Sequence, residues 1–206
     1  MNKKLIFLVQ SKLFWLGLMI LTFGVLVNDA FGVYSSLHPG PSLNDFLLQS
    51  LPYMNVPWAY DLFGFMSALL VLFYFYWHLE DVPYFMVIMG IFEILRGLFI
   101  FLTPLGAPPG DSVGIINGVL GSQAGGFFPS GHTGGSFIIF LVTKGWWKVA
   151  AFICFLGVVV FLLIAHGHYS IDILAGILFA YAIYAFGNKH FRDRLTVRFP
   201  SSKKKQ

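Results

Sequence analysis

The sequence predicts an all-α, polytopic membrane protein of six transmembrane helices. Three observations carry that prediction. Charged residues make up 11% of the chain and hydrophobic residues 57%, with a mean hydropathy of +0.77, whereas a soluble domain carries about 25% charged residues. Apolar runs of about 20 residues recur, the length that crosses a hydrocarbon core. Lysine and arginine are confined almost entirely to alternate connections between those runs.

Taken in order, Lys3 and Lys4 precede an apolar stretch that Gln10, Ser11 and Lys12 interrupt. A cleavable leader needs an unbroken apolar core and a small-residue cleavage site. Residues 1–12 therefore read as an interfacial segment feeding an uncleaved first span at 13–33. The connection 34–57 holds Pro39, Pro41, Pro52 and Pro57. Within it, Leu43, Phe46 and Leu47 share one helical face, which suits a short helix lying on the membrane surface. The same composition also suits a turn-rich linker. The second and third spans, 58–79 and 83–103, are joined by a tight connection at 80–82.

The next connection, 104–131, is long and contains Gly110, Gly114, Gly118, Gly121, Gly125 and Gly126. A connection of that length is commonly either functional or disordered. Dense glycine lets backbone amides approach a ligand, and also simply loosens the chain. It delivers Ser130-Gly131-His132 to the start of the fourth span, 132–146, where the unpaired N–H groups of a first helical turn suit phosphate. The fifth and sixth spans are 147–166 and 169–187, followed by a basic tail, 188–206. The one cysteine, Cys154, falls mid-span and reads as an inert small hydrophobe.

Charge sets the expected orientation. Lys3, Lys4, Lys12, Lys144, Lys148 and the seven Lys/Arg residues of the tail fall on one side of a six-span chain. The loops 34–57, 104–131 and 166–168 have no Lys or Arg and fall on the other. The positive-inside rule then puts both termini in the cytosol and the histidine-bearing loops outside. The compact single domain makes a bacterial inner membrane the expected location. Attraction of the tail to anionic lipid accounts for its basicity, so no nucleic acid partner is needed.

Polar groups at membrane depth are costly and read as functional by default. His168 and Asp172 are four apart, one helical turn, so the carboxylate can orient the imidazole. Arg96 is the only Lys or Arg set deep within an apolar span rather than at its end, with Glu93 one turn before it. That pair can simply neutralise itself, or Glu93 can hold Arg96 toward an anionic oxygen. Together with His132, these residues form a set for phosphoryl transfer. His168 would attack phosphorus while Asp172 steadies the imidazolium, and His132 would protonate the departing oxygen. Arg96 and the amides near Ser130 and Gly131 would stabilise the developing charge. The competing use, a metal site built from His132, His166, His168 and Asp172, lacks a recognised ligand spacing.

Pro129-Ser130-Gly131-His132 and His168-x-x-x-Asp172 resemble the second and third signature motifs of the type 2 phosphatidic acid phosphatase superfamily. Arg96, Thr103-Pro104, Pro108-Pro109-Gly110 and the run Ala165-His166-Gly167-His168-Tyr169-Ser170-Ile171-Asp172 look most like the sphingomyelin synthase branch. The resemblance covers 96–176 in motif and the first three spans in topology only. It implies a six-span enzyme using a phosphohistidine intermediate and no metal or cofactor. It also implies His132, His168 and Asp172 as the catalytic triad. Arg96, Ser130, Gly131 and His166 are the candidate substrate-binding residues and Glu93 their support.

The chain departs from the superfamily in lacking its Lys-and-Arg first motif and its Ser-Arg pair before the nucleophilic histidine. So little positive charge suits a singly charged phosphodiester better than a phosphomonoester dianion. The expected substrate is a phospholipid headgroup, with a lipid alcohol or water as acceptor. Trp58, Tyr60, Phe127, Phe128 and Tyr169 could cage a choline, although interfacial anchoring serves most aromatics in such a chain. The alternatives are a lipid phosphatase acting on phosphatidate or isoprenyl diphosphate, and a non-catalytic transporter or scaffold of the same fold.

Overall fold

A computed structural model describes residues 3–109 and 126–199. The glycines at 110, 114, 118, 121 and 125, and Lys203 to Lys205 of the tail, lie outside those residues. The described chain is helical. In order come α1 (Lys3–Gln10), α2 (Lys12–Leu37), α3 (Phe46–Ser50), α4 (Pro57–Trp77), a 3-10 turn at Leu79–Asp81, and α5 (Val82–Leu102). After the glycine-rich segment follow α6 (Gly131–Val142), α7 (Trp146–Ile164), α8 (Ser170–His190) and α9 (Arg192–Leu195).

Local chemistry marks the boundaries. Ser11 separates α1 from α2 and caps α2 by accepting the Leu13 N–H at 3.2 Å. Pro57 begins α4, where its missing N–H costs nothing. Among the described residues, five helical segments are long and apolar enough to cross a membrane: Lys12–Leu37, Pro57–Trp77, Leu79–Leu102, Trp146–Ile164 and Ser170–His190. The segment expected as the fourth span is shorter than these. Its helix, α6, has 12 residues and stops at Val142, because Thr143 turns extended and Gly145 takes φ +60°. That gives about 18 Å of helix against about 30 Å of hydrocarbon. α6 is the inner helix of the bundle, in contact with α4, α5, α7 and α8. Thr133, Gly134, Gly135, Ser136, Ile138 and Ile139 are all buried.

α2 sits at the periphery and is fastened to α5 through a seam of small residues. Gly17 and Gly24 on α2 meet Pro83 and Gly90 on α5, and Gly97 on α5 meets Asn28 on α2. A Cβ at Gly97 would lie 2.8 Å from the Asn28 Cα. Close backbone approach of this kind is how helices pack where apolar burial offers no gain over lipid.

The two ends of the bundle differ in chemistry. At one end, buried Asp81 is shared by Lys144 Nζ (3.6 Å) and Arg192 Nη2 (3.4 Å). The Val197 N–H donates to the Glu80 carbonyl (3.0 Å), so the 3-10 turn, the α6–α7 connection and the chain after α8 are stitched together. At the other end lie α3, the first turns of α4, α6 and α8, and every histidine of the two motifs. The alternation of basic and Lys/Arg-free connections in the sequence thus becomes a basic end and a histidine end.

Candidate active site

Each candidate side chain is held by a helix start or by the turn before one. His168 lies in the short connection between α7 and α8, and Asp172 is the third residue of α8. The Asp172 carboxylate is fully buried. Its Oδ2 accepts the Tyr169 N–H at 3.0 Å, capping α8, and sits 3.4 Å from His168 Nδ1. The i, i+4 spacing therefore brings the pair together as expected, and leaves Nε2 as the ring nitrogen outside it. Burial pushes the His168 pKa down; Asp172 opposes this, and His132 and Arg96 add to it. The outcome is an imidazole below its ordinary value, hence neutral with a free lone pair near pH 7.

His132, on the first turn of α6, has its ring centroid 6.3 Å from that of His168. Its Nε2 is 3.7 Å from Oδ1 of Asp61, a residue only 5% exposed on the second turn of α4. The site thus has two histidine–carboxylate pairs. The sequence reading missed Asp61, which lies 71 positions from its partner. The signal that could have found it is a lone carboxylate at the start of an otherwise apolar span.

Arg96 holds the loop that leads into α6. Its Nε donates to Pro129 O (3.0 Å), Nη2 to Gly126 O (2.9 Å) and Nη1 to Asn28 Oδ1 (2.6 Å). Glu93 Oε2 stands 4.0 Å from Nη1. Three of the five guanidinium donors are therefore committed to protein, with one carboxylate close by. A Cβ on Gly131 would fall 2.8 Å from Arg96 Nε, so only glycine lets the chain pass at that point.

Ser130 is fully buried and structural in its contacts. Its Oγ accepts the Thr133 N–H at 3.3 Å and donates to Thr133 Oγ1, while its own N–H donates to the Asp172 carbonyl at 3.0 Å. Gly131 and His132 are the first residues of α6 and supply its leading amides. His166 takes φ +50°, places Nδ1 3.4 Å from Pro109 O and turns its ring edge to Tyr53. Among the described residues no ring contact joins it to His132 or His168.

Of the five aromatics considered for a cage, three gather at the histidines. Tyr60 packs edge-on to His132 (5.5 Å), and Phe127 packs against both His168 (5.9 Å) and Tyr169 (6.4 Å). Phe128 packs instead on Phe99 and Phe179, and Trp58 is exposed. Among the described residues, no three His, Cys, Asp or Glu side chains are grouped so as to hold a metal ion. No protein-family model matches the chain, and no curated protein matches it.

Proposed function

We propose that the chain is an integral-membrane enzyme that transfers or hydrolyses the headgroup phosphate of a phospholipid through a phosphohistidine. The observation that carries this reading is the pair of histidine–carboxylate dyads, His168–Asp172 and His132–Asp61, whose imidazoles stand 6.3 Å apart. One ring is buried and neutral, as a nucleophile requires. The other is more exposed and stands 3.7 Å from a buried carboxylate, within reach of the departing oxygen's side of the site as a general acid must be.

In the first step His168 Nε2 attacks phosphorus and the bond from phosphorus to the diacylglycerol oxygen breaks. His132 gives that oxygen its proton, and Asp172 steadies the positive charge on the phosphorylated ring. In the second step His132 takes the proton from the acceptor hydroxyl, whose oxygen attacks phosphorus and frees His168. A lipid alcohol as acceptor makes the protein a transferase, and water makes it phospholipase C-like.

Arg96 supports a singly charged phosphodiester. With Glu93 beside it and three donors engaged by the chain, little net positive charge remains for a dianion. The basic end belongs in the cytosol by the positive-inside rule, which turns the histidine end outward. On that topology the short helix α6 counts as the fourth of six crossings.

The test is product analysis with purified protein in lipid–detergent micelles. It uses phosphatidate, phosphatidylcholine or phosphatidylethanolamine, with and without ceramide or diacylglycerol, beside His168→Ala. Diacylglycerol released from a phosphodiester lipid without inorganic phosphate is the expected result. Inorganic phosphate from phosphatidate would make the protein a monoesterase. No turnover of any lipid would leave the fold as a transporter or scaffold.

A further inference from the structure

Asp45 is the only Asp, Glu, Lys or Arg between Asp29 and Asp61. Both of its carboxylate oxygens are turned into the protein. Oδ1 accepts the N–H groups of Leu47 (3.0 Å) and Leu48 (3.2 Å) and so caps α3. Oδ2 accepts the N–H of Ser170, the first residue of α8, at 2.6 Å. Ser170 stands two residues before Asp172. Tyr169 makes a second tie, its hydroxyl accepting the Leu43 N–H and donating to Gly106 O, each at 3.0 Å. The segment between α2 and α4 is therefore bonded directly to the turn that carries His168.

The opposite side of this segment bears no charge. Phe46 is 86% exposed, and Leu43, Leu47, Tyr53 and Met54 are exposed with it. Between the segment and the start of α8 lies an open groove of ≈ 330 Å³, whose apolar walls are Leu43, Phe46, Leu47 and Ile171 and whose polar floor is Asp45, Tyr169 and Ser170. Membrane-crossing candidates precede and follow the segment directly, so it is held at the level where those helices leave the lipid. An uncharged, aromatic-bearing face held at that level is one that lipid, rather than water, covers.

We propose that the 39–56 arm rests its apolar face on the lipid surface, and that Asp45 is the positioning residue that passes the arm's placement to the His168–Asp172 pair. This rests on the catalytic reading above. A carboxylate has an oxygen for each helix, whereas an amide has one acceptor oxygen in all. Asp45→Asn can therefore serve α3 or α8 but not both, and it uncouples them with no change of size. Phe46→Ser removes lipid contact without opening the core, because the ring is already outside it.

The experiment places the full chain in nanodiscs and follows two readouts. One is diacylglycerol release from long-chain phosphatidylcholine and phosphatidylethanolamine in the disc, and from short-chain forms added as monomers from water. The other is amide hydrogen exchange across residues 168–173. Asp45→Asn is expected to slow turnover of both substrate forms and to speed exchange at Ser170, each by roughly tenfold, as for a lost helix cap. Phe46→Ser is expected to slow turnover of the disc lipid by roughly tenfold and to leave the monomeric lipid unchanged.

Wild-type exchange and turnover in Asp45→Asn would overturn the proposal, and so would faster exchange with undiminished turnover. Equal loss on both substrate forms in Phe46→Ser would overturn the lipid contact. A changed oligomeric state in that variant would assign the face to a second copy of the chain. A wild-type protein that releases no diacylglycerol overturns the catalytic reading itself, a result distinct from an active wild type with unaffected variants.

Discussion

Asp61, near the start of α4, holds its carboxylate 3.7 Å from Nε2 of His132 on the first turn of α6, so two helices remote in sequence share one histidine–carboxylate pair. If His132 is the general acid, its usefulness depends on the charge opposite it. Asp61→Asn keeps the shape and removes that charge. Turnover is expected to fall roughly 10²-fold, the scale of a general acid's contribution, while thermal unfolding in detergent stays close to wild type. An unchanged rate would remove Asp61 from the mechanism.

The pH dependence should follow His168. Burial holds its pKa below the ordinary 6.5, so the imidazole keeps its lone pair at neutral pH and loses it only as pH falls through the lowered value. The acid limb of the rate profile is expected below 6.5, and an acid limb above 6.5 would contradict the buried neutral ring. Stability has the same sign. The unfolded chain takes up this proton first, so stability declines as pH drops below 6.5 and levels off past the folded value. Phosphorus label trapped from substrate should be acid-labile, base-stable and absent in His168→Ala.

Arg96→Lys should behave as a loss of architecture as much as of charge. A lysine ammonium cannot reach Asn28 Oδ1, Pro129 O and Gly126 O in the geometry of a guanidinium fork. Each buried acceptor left without its donor costs about 1–3 kcal/mol. The expected result is a lower unfolding temperature together with slower turnover. Equal stability would show that the entry loop to α6 is held by other contacts.

The glycine seam can be tested by contrast. Gly97→Val drives a side chain into the Asn28 backbone, which cannot move aside, and overpacking of this kind costs about 1–3 kcal/mol. Gly135→Ala is the control, since its added Cβ meets only Met89 Cε at 3.7 Å. A helix-interior Gly→Ala change favours the helix by roughly 0.5–1 kcal/mol. Comparison of the two unfolding temperatures checks the seam, and an equal response would dissolve it.

The sequence makes legible whatever depends on local spacing. His168 and Asp172 meet because four residues make one turn, and the long helices follow from apolar run length. Asp61 and Asp45 were not legible as site residues, because their partners His132 and Ser170 lie 71 and 125 positions away. Nothing local marks a carboxylate as facing a remote ring or a remote N–H. Arg96 was legible as an interior cation, but its occupation by Asn28, Pro129 and Gly126 depends on how α2 and the loop before α6 come to rest on α5. The length of α6 was misjudged because Thr143 and Lys144 look like a continuing helix until Gly145 adopts its positive φ.

The shared carboxylate at Asp81 makes the molecule mechanically lopsided. With the basic end pinned to Lys144 and Arg192, the long helices form levers whose far ends carry the histidine motifs. A 21-residue helix is about 30 Å long, so a tilt of about 2° at the pinned end moves the other by about 1 Å. A misplacement of about 1 Å is enough to cost a reaction roughly 10²-fold. The ties at Asp45 and Tyr169 are therefore braces at the far end of the lever, where small angles become large displacements. Loosening either end trades the same angular freedom for very different losses of alignment.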